Sequence, residues 1–165
     1  MKLVTLLSAA ALMTAPLAAG EYDALGKAVR SAWPSVAKVA VVCDSAANKG
    51  AIDAIAGAMP GMKLIVVDVK GQQDMGKAMT TLGSHRPDAV VLVAGDRVAG
   101  DGTGAAAFLI QRMAAAKIPT VATTEAGVRQ GAALGVGAGT GGKLLANAKV
   151  AGVAGVTIPA GASQI

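Results

Sequence analysis

Residues 36–55 read VAKVAVVCDSAANKGAIDAI, and this stretch contains the pattern from which the fold class is predicted. Its apolar run at 38–43 has the length of a strand and lacks the alternation of a strand with one face in water. A short polar segment follows. Beyond it, apolar positions recur with the spacing of one helix face, at Ile52, Ile55, Ala56 and Met59. The stretch therefore predicts a buried strand, a loop and a helix, which is the repeating unit of a parallel α/β sheet.

The same unit recurs along the rest of the chain. Further apolar runs of strand length lie at 63–68, 88–94, 118–122 and 132–136. Short turns and helical segments separate them, so strands and helices alternate. Because crossovers between parallel strands are right-handed, few topologies remain. We therefore expect a single three-layer, doubly wound α/β domain, with a mainly parallel sheet of about five strands in the order 2-1-3-4-5.

Helices are expected between these strands and at both ends of the domain. One leads into the sheet over residues 21–33 and ends before Pro34. The other helical segments are predicted around Ile52–Met59, at Met75–Leu82, at 103–116, just after Thr124 and over about 140–149. The chain thus divides into a leading helix and linker at 21–35, an α/β lobe at 36–160 and a tail at 161–165.

Polar side chains follow the first, third and fourth predicted strands. In doubly wound sheets, ligands bind beyond the carboxyl ends of the strands, where the strand order reverses. The candidate ligand-binding residues at this rim are Ser45, Asn48, Asp96, Arg97, Thr124 and Glu125. The alternative role is to cap the following helices, which is open to Asp44 or Ser45, Asp101 or Thr103, and Thr123 or Thr124. Arg97 is a natural carboxylate ligand, and its alternative is a solvated surface arginine.

The residue types that catalysis needs are sparse. Cys43 is the only cysteine and ends the first apolar run, so it is interpreted as a buried thiol rather than a nucleophile. His85 is the only histidine and lies in a turn before the third strand, which gives no basis for a metal site. No Gly-x-Ser-x-Gly elbow is present. The sequence therefore indicates a protein that is not an enzyme and uses no cofactor.

Residues 1–20 have the layout of a secretory signal peptide. Lys2 is the only charge, an apolar stretch spans 3–17, and small residues close the segment at Ala18–Gly20. The apolar stretch is shorter than the roughly 20 residues that a membrane-spanning helix requires. We therefore expect cleavage after Ala19 or after the following glycine. The mature protein would be periplasmic or otherwise exported, with no stable membrane insertion.

The net charge of +5 comes from lysines and arginines that are scattered along the chain. They extend from Lys27 to Lys149 without a run and without interleaved aromatic residues. Nucleic-acid-binding surfaces cluster their basic residues on one face or along one helix. We therefore expect no nucleic-acid partner.

The segment GAGTGGKL at 137–144 resembles the nucleotide-binding loop G-x-x-x-x-G-K-[ST], with one departure. Leu144 stands where a serine or threonine would bind magnesium. The segment also follows the last predicted strand rather than the first. It is therefore interpreted as a turn into the helix expected over about 140–149, whose backbone N–H groups would attract an anion such as a carboxylate.

Several motifs in the second half of the chain occur together. They are Pro87-Asp88-Ala89-Val90, Lys117-Ile118-Pro119, and Gly127-Val128 with Gly131-Ala132-Ala133. With the run at 36–55, they resemble the second lobe of the periplasmic substrate-binding proteins of ABC transporters, of the type I, Leu/Ile/Val-binding-like fold. The resemblance covers about residues 36–159. One departure follows the last strand, where the family has an Asp-Tyr-like pair and this chain has Ala138, Gly139 and Thr140.

The resemblance implies two alternative functions. Family members clamp a ligand between two lobes by a hinge motion, and this sequence corresponds to one lobe. In the first alternative, the protein binds a small solute such as an amino acid, and a second copy or another exported protein supplies the other half of the cleft. In the second, the lobe has lost solute binding. It is then a structural or assembly subunit of a cell-envelope complex, as a homo-oligomer or with an envelope protein partner, packing through an Ala- and Gly-rich face.

Overall fold

The structure is a computed structural model, and it describes residues 19–165. The predicted signal peptide, residues 1–20, lies outside the described residues except for its last two positions. The first described helix, α1, spans Ala19–Ala32, where the sequence predicts a helix over 21–33.

Within the described residues, the sheet contains seven strands. They are β1 (Lys38–Cys43), β2 (Lys63–Asp68), β3 (Ala89–Leu92), β4 (Thr120–Thr124), β5 (Leu134–Gly139), β6 (Leu145–Ala146) and β7 (Ser163–Gln164). Their order is β2-β1-β3-β4-β5-β6-β7, and β1 to β5 are parallel. This confirms the predicted fold class and the order of its five main strands. The short strand β6 runs antiparallel to β5, and β7 runs parallel to β6.

Helices cover both faces of the sheet. Besides α1, they are α2 (Lys49–Ala58), α3 (Met75–His85), α4 (Gly104–Ala115), α5 (Glu125–Arg129) and α6 (Ala148–Ala154). A short 3-10 turn, Gln72–Asp74, precedes α3. Residues of α1, α2 and α6 share one apolar core with the sheet, and residues of α3, α4 and α5 share the other. The protein is therefore a three-layer α/β sandwich, as predicted.

The central strand β1 is buried on both faces. Val39 and Val41 belong to the core beneath α1 and α2, whereas Ala40 and Val42 belong to the core beneath α3 and α4. All four side chains are inaccessible to solvent. Burial of each valine stabilises the fold by roughly 1.5–3 kcal/mol. This two-sided burial explains why the strand reads as a continuous apolar run.

The helices α1 and α2 approach each other closely at Gly26. A Cβ atom at Gly26 would overlap the carbonyl group of Ala58, so only glycine permits this approach. The Arg30 guanidinium donates a 3.0 Å hydrogen bond to the same carbonyl oxygen. That bond satisfies a C-terminal carbonyl of α2, which the helix itself leaves unpaired. The two contacts fix α1 across the end of α2.

The prediction of a helix over about 140–149 is wrong. Residues 140–144 form a turn instead, after which β6 returns alongside β5. Gly141 and Gly142 have φ angles of 64° and 74°, in the left-handed region that a right-handed helix cannot incorporate. The chain therefore reverses direction here rather than entering a helix.

The last helix, α6, begins only after β6. The side-chain oxygen of Asn147 accepts a hydrogen bond of 3.2 Å from the backbone N–H of Val150 and caps the helix. Asn147 also donates from its amide nitrogen to the carbonyl oxygen of Val128, at 3.2 Å. The true helix start is thus set by an asparagine cap that lies beyond the glycine-rich turn.

Candidate functional site

Asp96 joins the loop after β1 to the loop after β3. The residue is 4% exposed, and both of its carboxylate oxygens accept hydrogen bonds. Oδ2 accepts from the side-chain amide of Asn48 at 2.7 Å and from the backbone N–H of Asp44 at 3.0 Å. Oδ1 accepts from the N–H groups of Val98 and Ala99, at 3.0 Å and 2.6 Å. The structure thus brings the predicted site residues Asn48 and Asp96 into contact, with Asp96 holding the rim together.

Ser45 contacts the end of β2 rather than the end of β3. Its backbone N–H and its hydroxyl both donate to Oδ1 of Asp68, at 2.8 Å and 2.7 Å. The ammonium of Lys70 lies 3.2 Å from that oxygen and 2.7 Å from Oδ1 of Asp44. The hydrogen bonds from Ser45, helped by Lys70, lower the pKa of Asp68 to about 2. Lys70 similarly lowers the pKa of Asp44, while Asp44 raises the pKa of Lys70.

Cys43 lies beneath this rim network at the end of β1 and is inaccessible to solvent. Burial raises the pKa of its thiol to about 12, and the nearby carboxylates of Asp96, Asp68 and Asp44 add to the effect. The prediction of a buried thiol is confirmed. The thiol therefore stays protonated at neutral pH and lacks the thiolate character of a nucleophile.

His85 lies far from the rim. It was expected in a turn, but it is the last residue of α3, because the helix continues to the residue before the left-handed Arg86. The backbone carbonyl of His85 accepts a 3.0 Å hydrogen bond from the ammonium of Lys38. Since α3 ends at the edge where the strands begin, His85 lies on the opposite edge of the sheet from the rim, as the sequence predicts.

Thr124 and Glu125 lie where β4 passes into α5. The Thr124 hydroxyl accepts from the N–H of Gly127 at 3.1 Å and caps α5. Oε1 of Glu125 accepts from Nε and Nη2 of Arg129, at 2.8 Å and 2.6 Å. Both side chains of this ion pair are largely exposed, so the pair contributes little to stability. The Thr124 hydroxyl thus has a structural role, whereas the Glu125 carboxylate makes only a weak, exposed ion pair with Arg129.

Asp101 links the loop after β3 to the end of β4. Its Oδ2 accepts from the backbone N–H and the hydroxyl of Thr123, at 2.7 Å and 3.1 Å. The other oxygen, Oδ1, is buried and has no hydrogen-bond partner among the described residues. Thr103 rather than Asp101 caps α4, through a 3.0 Å bond from the N–H of Ala106. Asp101 therefore belongs to the rim as a strand connector, a role that its position in the sequence does not reveal.

Arg97 differs from the other predicted site residues. Its side chain is exposed in the loop after β3, directly beside the buried Asp96. Among residues 19–165, no hydrogen bond or ion pair engages its guanidinium. Arg97 is therefore a rim cation whose donors remain available to a ligand.

The segment GAGTGGKL at 137–144 forms the hairpin between β5 and β6, at the same rim. The Thr140 side chain is 8% exposed. Its hydroxyl accepts from the Gly137 N–H at 3.2 Å and lies 2.8 Å and 2.6 Å from the carbonyl oxygens of Gly137 and Lys143. A phosphate-binding loop has to lead directly into a helix, and this segment leads into a strand. The segment is therefore neither a nucleotide site nor the helix-start anion site expected from the sequence.

A groove opens between the first turns of α3 and α4. Its volume is about 500 Å³, and it is lined by Gln72, Met75, Gly76, Gly104, Ala105 and Phe108. Because α3 follows β2 and α4 follows β3, both helices begin at the carboxyl rim. Phe108 is 39% exposed, and the guanidinium carbon of Arg112 lies 5.3 Å from the centroid of its ring. Sequence patterns do not reveal this groove, since apolar residues at helical spacing indicate core packing.

Comparison with known protein families and with curated proteins finds no match. Solved structures do match. An ABC domain from Streptococcus pneumonia in complex with L-Trp has a TM-score of 0.71 and 17% identity, covering 87% of this chain and 60% of that chain. An ABC-transporter solute binding protein from R. palustris in complex with benzoate has a TM-score of 0.45 and 20% identity, covering 63% of this chain and 28% of that chain. The chain therefore shares its α/β fold with the L-Trp-bound structure.

The resemblance in fold that the sequence motifs predict is thus confirmed. The chain spans 60% of the length of the L-Trp-bound structure. Among residues 19–165, no helix of the lobe is long and apolar enough to cross a membrane. The described part of the lobe also contains no group of three or more His, Cys, Asp or Glu side chains placed to hold a metal ion.

Proposed function

We propose that this protein is an exported, non-enzymatic lobe that binds a small solute such as an amino acid at the carboxyl rim of its sheet. The observation that carries the proposal is Arg97, an exposed cation at the ligand-binding edge of the fold with no partner among the described residues. A guanidinium presents parallel N–H donors that match the two oxygens of a carboxylate. The amino acid bound by the structural neighbour from Streptococcus pneumonia supports this class of solute.

The other rim residues divide into ligands and supports. Asn48 keeps its side-chain oxygen for a solute while its amide nitrogen is held by Asp96. Glu125 lies at the end of the neighbouring strand. Because its ion pair with Arg129 is exposed and weak, its carboxylate can leave Arg129 and bind the ammonium of an amino acid. Ser45, Asp96 and Thr124 are committed to internal hydrogen bonds, so they position the rim. We thus assign carboxylate binding to Arg97 and ammonium binding to Glu125.

A single lobe forms only half of a clamp. The L-Trp-bound structure is longer than this chain, which covers 60% of it. We propose that a second copy of the chain, or another exported protein, closes over the rim. Burial of the solute between two surfaces would exclude water and strengthen its charged hydrogen bonds.

Thermal unfolding of the protein in the presence of single amino acids tests this function. A ligand that binds only the folded state raises the melting temperature as its concentration exceeds the dissociation constant. The Arg97→Gln variant should lose the shift, whereas Arg86→Gln, at the opposite edge of the sheet, should retain it. Recovery of the solute unchanged after incubation checks that no reaction occurs. Unaltered melting with every amino acid would rule out amino-acid binding at this rim.

The second candidate is an assembly subunit, and the outer strand of the sheet favours it. β2 is an edge strand, and Val66 at its centre is 42% exposed. Edge strands present unpaired backbone groups that another chain can extend. Size-exclusion chromatography with light scattering would show an oligomer that Val66→Lys dissociates. A monomer whose melting temperature rises with solute favours the first function. An oligomer whose melting temperature does not change with solute favours the second.

A further inference from the structure

We propose that the groove between α3 and α4 is a second binding site, and that it takes a small organic anion with an apolar body. It lies between the first turns of α3 and α4, and none of its lining residues is among the rim residues proposed above. The groove proposal therefore does not depend on solute binding by Arg97.

The groove is open space rather than a packed helix seam. Its volume of about 500 Å³ lies within the roughly 300–1,000 Å³ of small-molecule sites. A Cβ atom added at Gly76 or at Gly104 would meet no atom within 4 Å, so the glycines leave the groove unfilled. Met75, Ala105 and Phe108 supply apolar surface along it. These walls suit the hydrocarbon part of a ligand.

The charges around the groove favour an anion. Arg112 stacks on the ring of Phe108, and no carboxylate pairs with its guanidinium within residues 19–165. None of the residues that line the groove is acidic. Asp74, beside Gln72 and Met75 in the chain, has one carboxylate oxygen held by the backbone N–H of Lys70 at 2.8 Å. The partial positive charges at the starts of α3 and α4 add to this preference.

These features together define the ligand. The apolar body lies against Met75 and Phe108, and the carboxylate reaches the guanidinium of Arg112. Charge-assisted hydrogen bonds to guanidinium are stronger than those to neutral groups. A carboxylate should therefore bind better than an alcohol or an amine of the same body.

Isothermal titration with 3-phenylpropionate, 3-phenylpropan-1-ol and 3-phenylpropylamine tests the chemistry of the site. We expect the acid to bind at least about tenfold more tightly than the other two, as a charge-assisted contact implies. The Arg112→Gln variant should bind the acid and the alcohol equally. Equal binding of acid and amine by the unaltered protein, or no binding of the acid at millimolar concentration, would overturn the proposal.

A pair of glycine variants tests the location. Gly76 and Gly83 both lie in α3, both have open space where a side chain would start, and leucine at either position favours the helix. Gly76→Leu fills the groove and should abolish binding of 3-phenylpropionate, while Gly83→Leu should leave it unchanged. Circular dichroism confirms that both variants fold. If Gly76→Leu still binds the acid and Arg97→Gln does not, the acid occupies the rim, and the groove proposal is wrong.

Discussion

The side-chain amide of Asn48 donates a 2.7 Å hydrogen bond to Oδ2 of Asp96, and this contact ties together two loops that lead to opposite faces of the sheet. The loop after β1 leads to α2, and the loop after β3 leads to α4. Their divergence creates the crevice in which ligands of such sheets bind. A buried carboxylate thus holds the two walls of the crevice at a fixed separation.

Replacing Asp96 with alanine should lower the free energy of unfolding by about 3 kcal/mol, because buried donors lose their charged acceptor. The backbone N–H groups of Val98 and Ala99 would be among them. Urea denaturation measures the change. Asp53→Ala is the matched control, since among residues 19–165 Asp53 takes part only in an exposed pair with Lys49, and its loss should change stability little. Equal losses in the two variants would contradict the supporting role of Asp96.

The thiol of Cys43 should not react with a disulfide reagent such as DTNB in the folded protein at pH 8, and should react fully after unfolding in urea. Its pKa of about 12 leaves almost no thiolate, and the side chain is inaccessible to solvent. Absorbance of the released thiolate measures the reaction. Rapid labelling without denaturant would show that the end of β1 opens readily.

Ionisation of the Cys43 thiol should lower the free energy of unfolding at alkaline pH. Its pKa is raised from 9.0 to about 12 on folding, so the unfolded chain releases the proton first. The contribution of the Cys43 thiol to the free energy of unfolding is constant below pH 9. It is lost progressively as the pH rises from 9 toward 12. Comparison of unfolding midpoints between the unaltered protein and Cys43→Ala isolates this part. Parallel pH profiles of the two proteins above pH 9 would disprove the linkage.

At the acidic end, Ser45 should control the titration of Asp68. The pKa of Asp68 is lowered from 3.8 to about 2, so its stabilising contribution is present above pH 3.8 and is lost as the pH falls toward 2. Ser45→Ala removes the hydroxyl donor and should raise this pKa toward 3.8. A carbon NMR titration of the carboxyl group measures it. Ser84→Ala, which removes only an exposed hydroxyl bonded within α3, should leave the titration unchanged.

Substitutions of Thr140 and Lys143, which both lie in the hairpin at 137–144, should differ sharply in their effect on stability. Thr140→Val preserves the shape but removes the hydroxyl that bridges Gly137 and Lys143, and should cost about 1–3 kcal/mol of stability. Lys143→Ala removes an exposed side chain and should change stability little. Thermal unfolding compares the variants. A larger loss from Lys143→Ala would contradict the stabilising role of the Thr140 hydroxyl.

The sequence was sufficient to predict the central sheet because a strand that is buried on both faces has a continuous run of apolar residues. β1 and β2 have the bounds expected from their apolar runs. β4 starts at Thr120 rather than at residue 118, because Pro119 has no N–H to donate to a sheet. Residue types and hydrophobic periodicity therefore located the strands well and their ends less well.

Long-range contacts between polar groups could not be predicted. Lys70 meets Asp44, and Asp101 meets Thr123, only because the sheet aligns loops that are separate in the chain. The sequence predicts that the turn at 140–144 leads into a helix, whereas the left-handed backbone of Gly141 and Gly142 returns the chain to the sheet as β6. The groove beside Phe108 depends on the spacing of two helices, which no local pattern encodes.

The position of α1 has a consequence for the order of folding. Tyr22, Leu25 and Val29 of this helix share an apolar core with Leu134 and Val136 of β5, so the leading helix packs against the last main strand of the sheet. Contacts between such distant segments slow folding, because the intervening loop must close first. During synthesis from the N-terminus, α1 emerges before its partner exists. The lobe therefore cannot complete its core until nearly the whole chain is available, which keeps the polypeptide in a non-native state while it is being made.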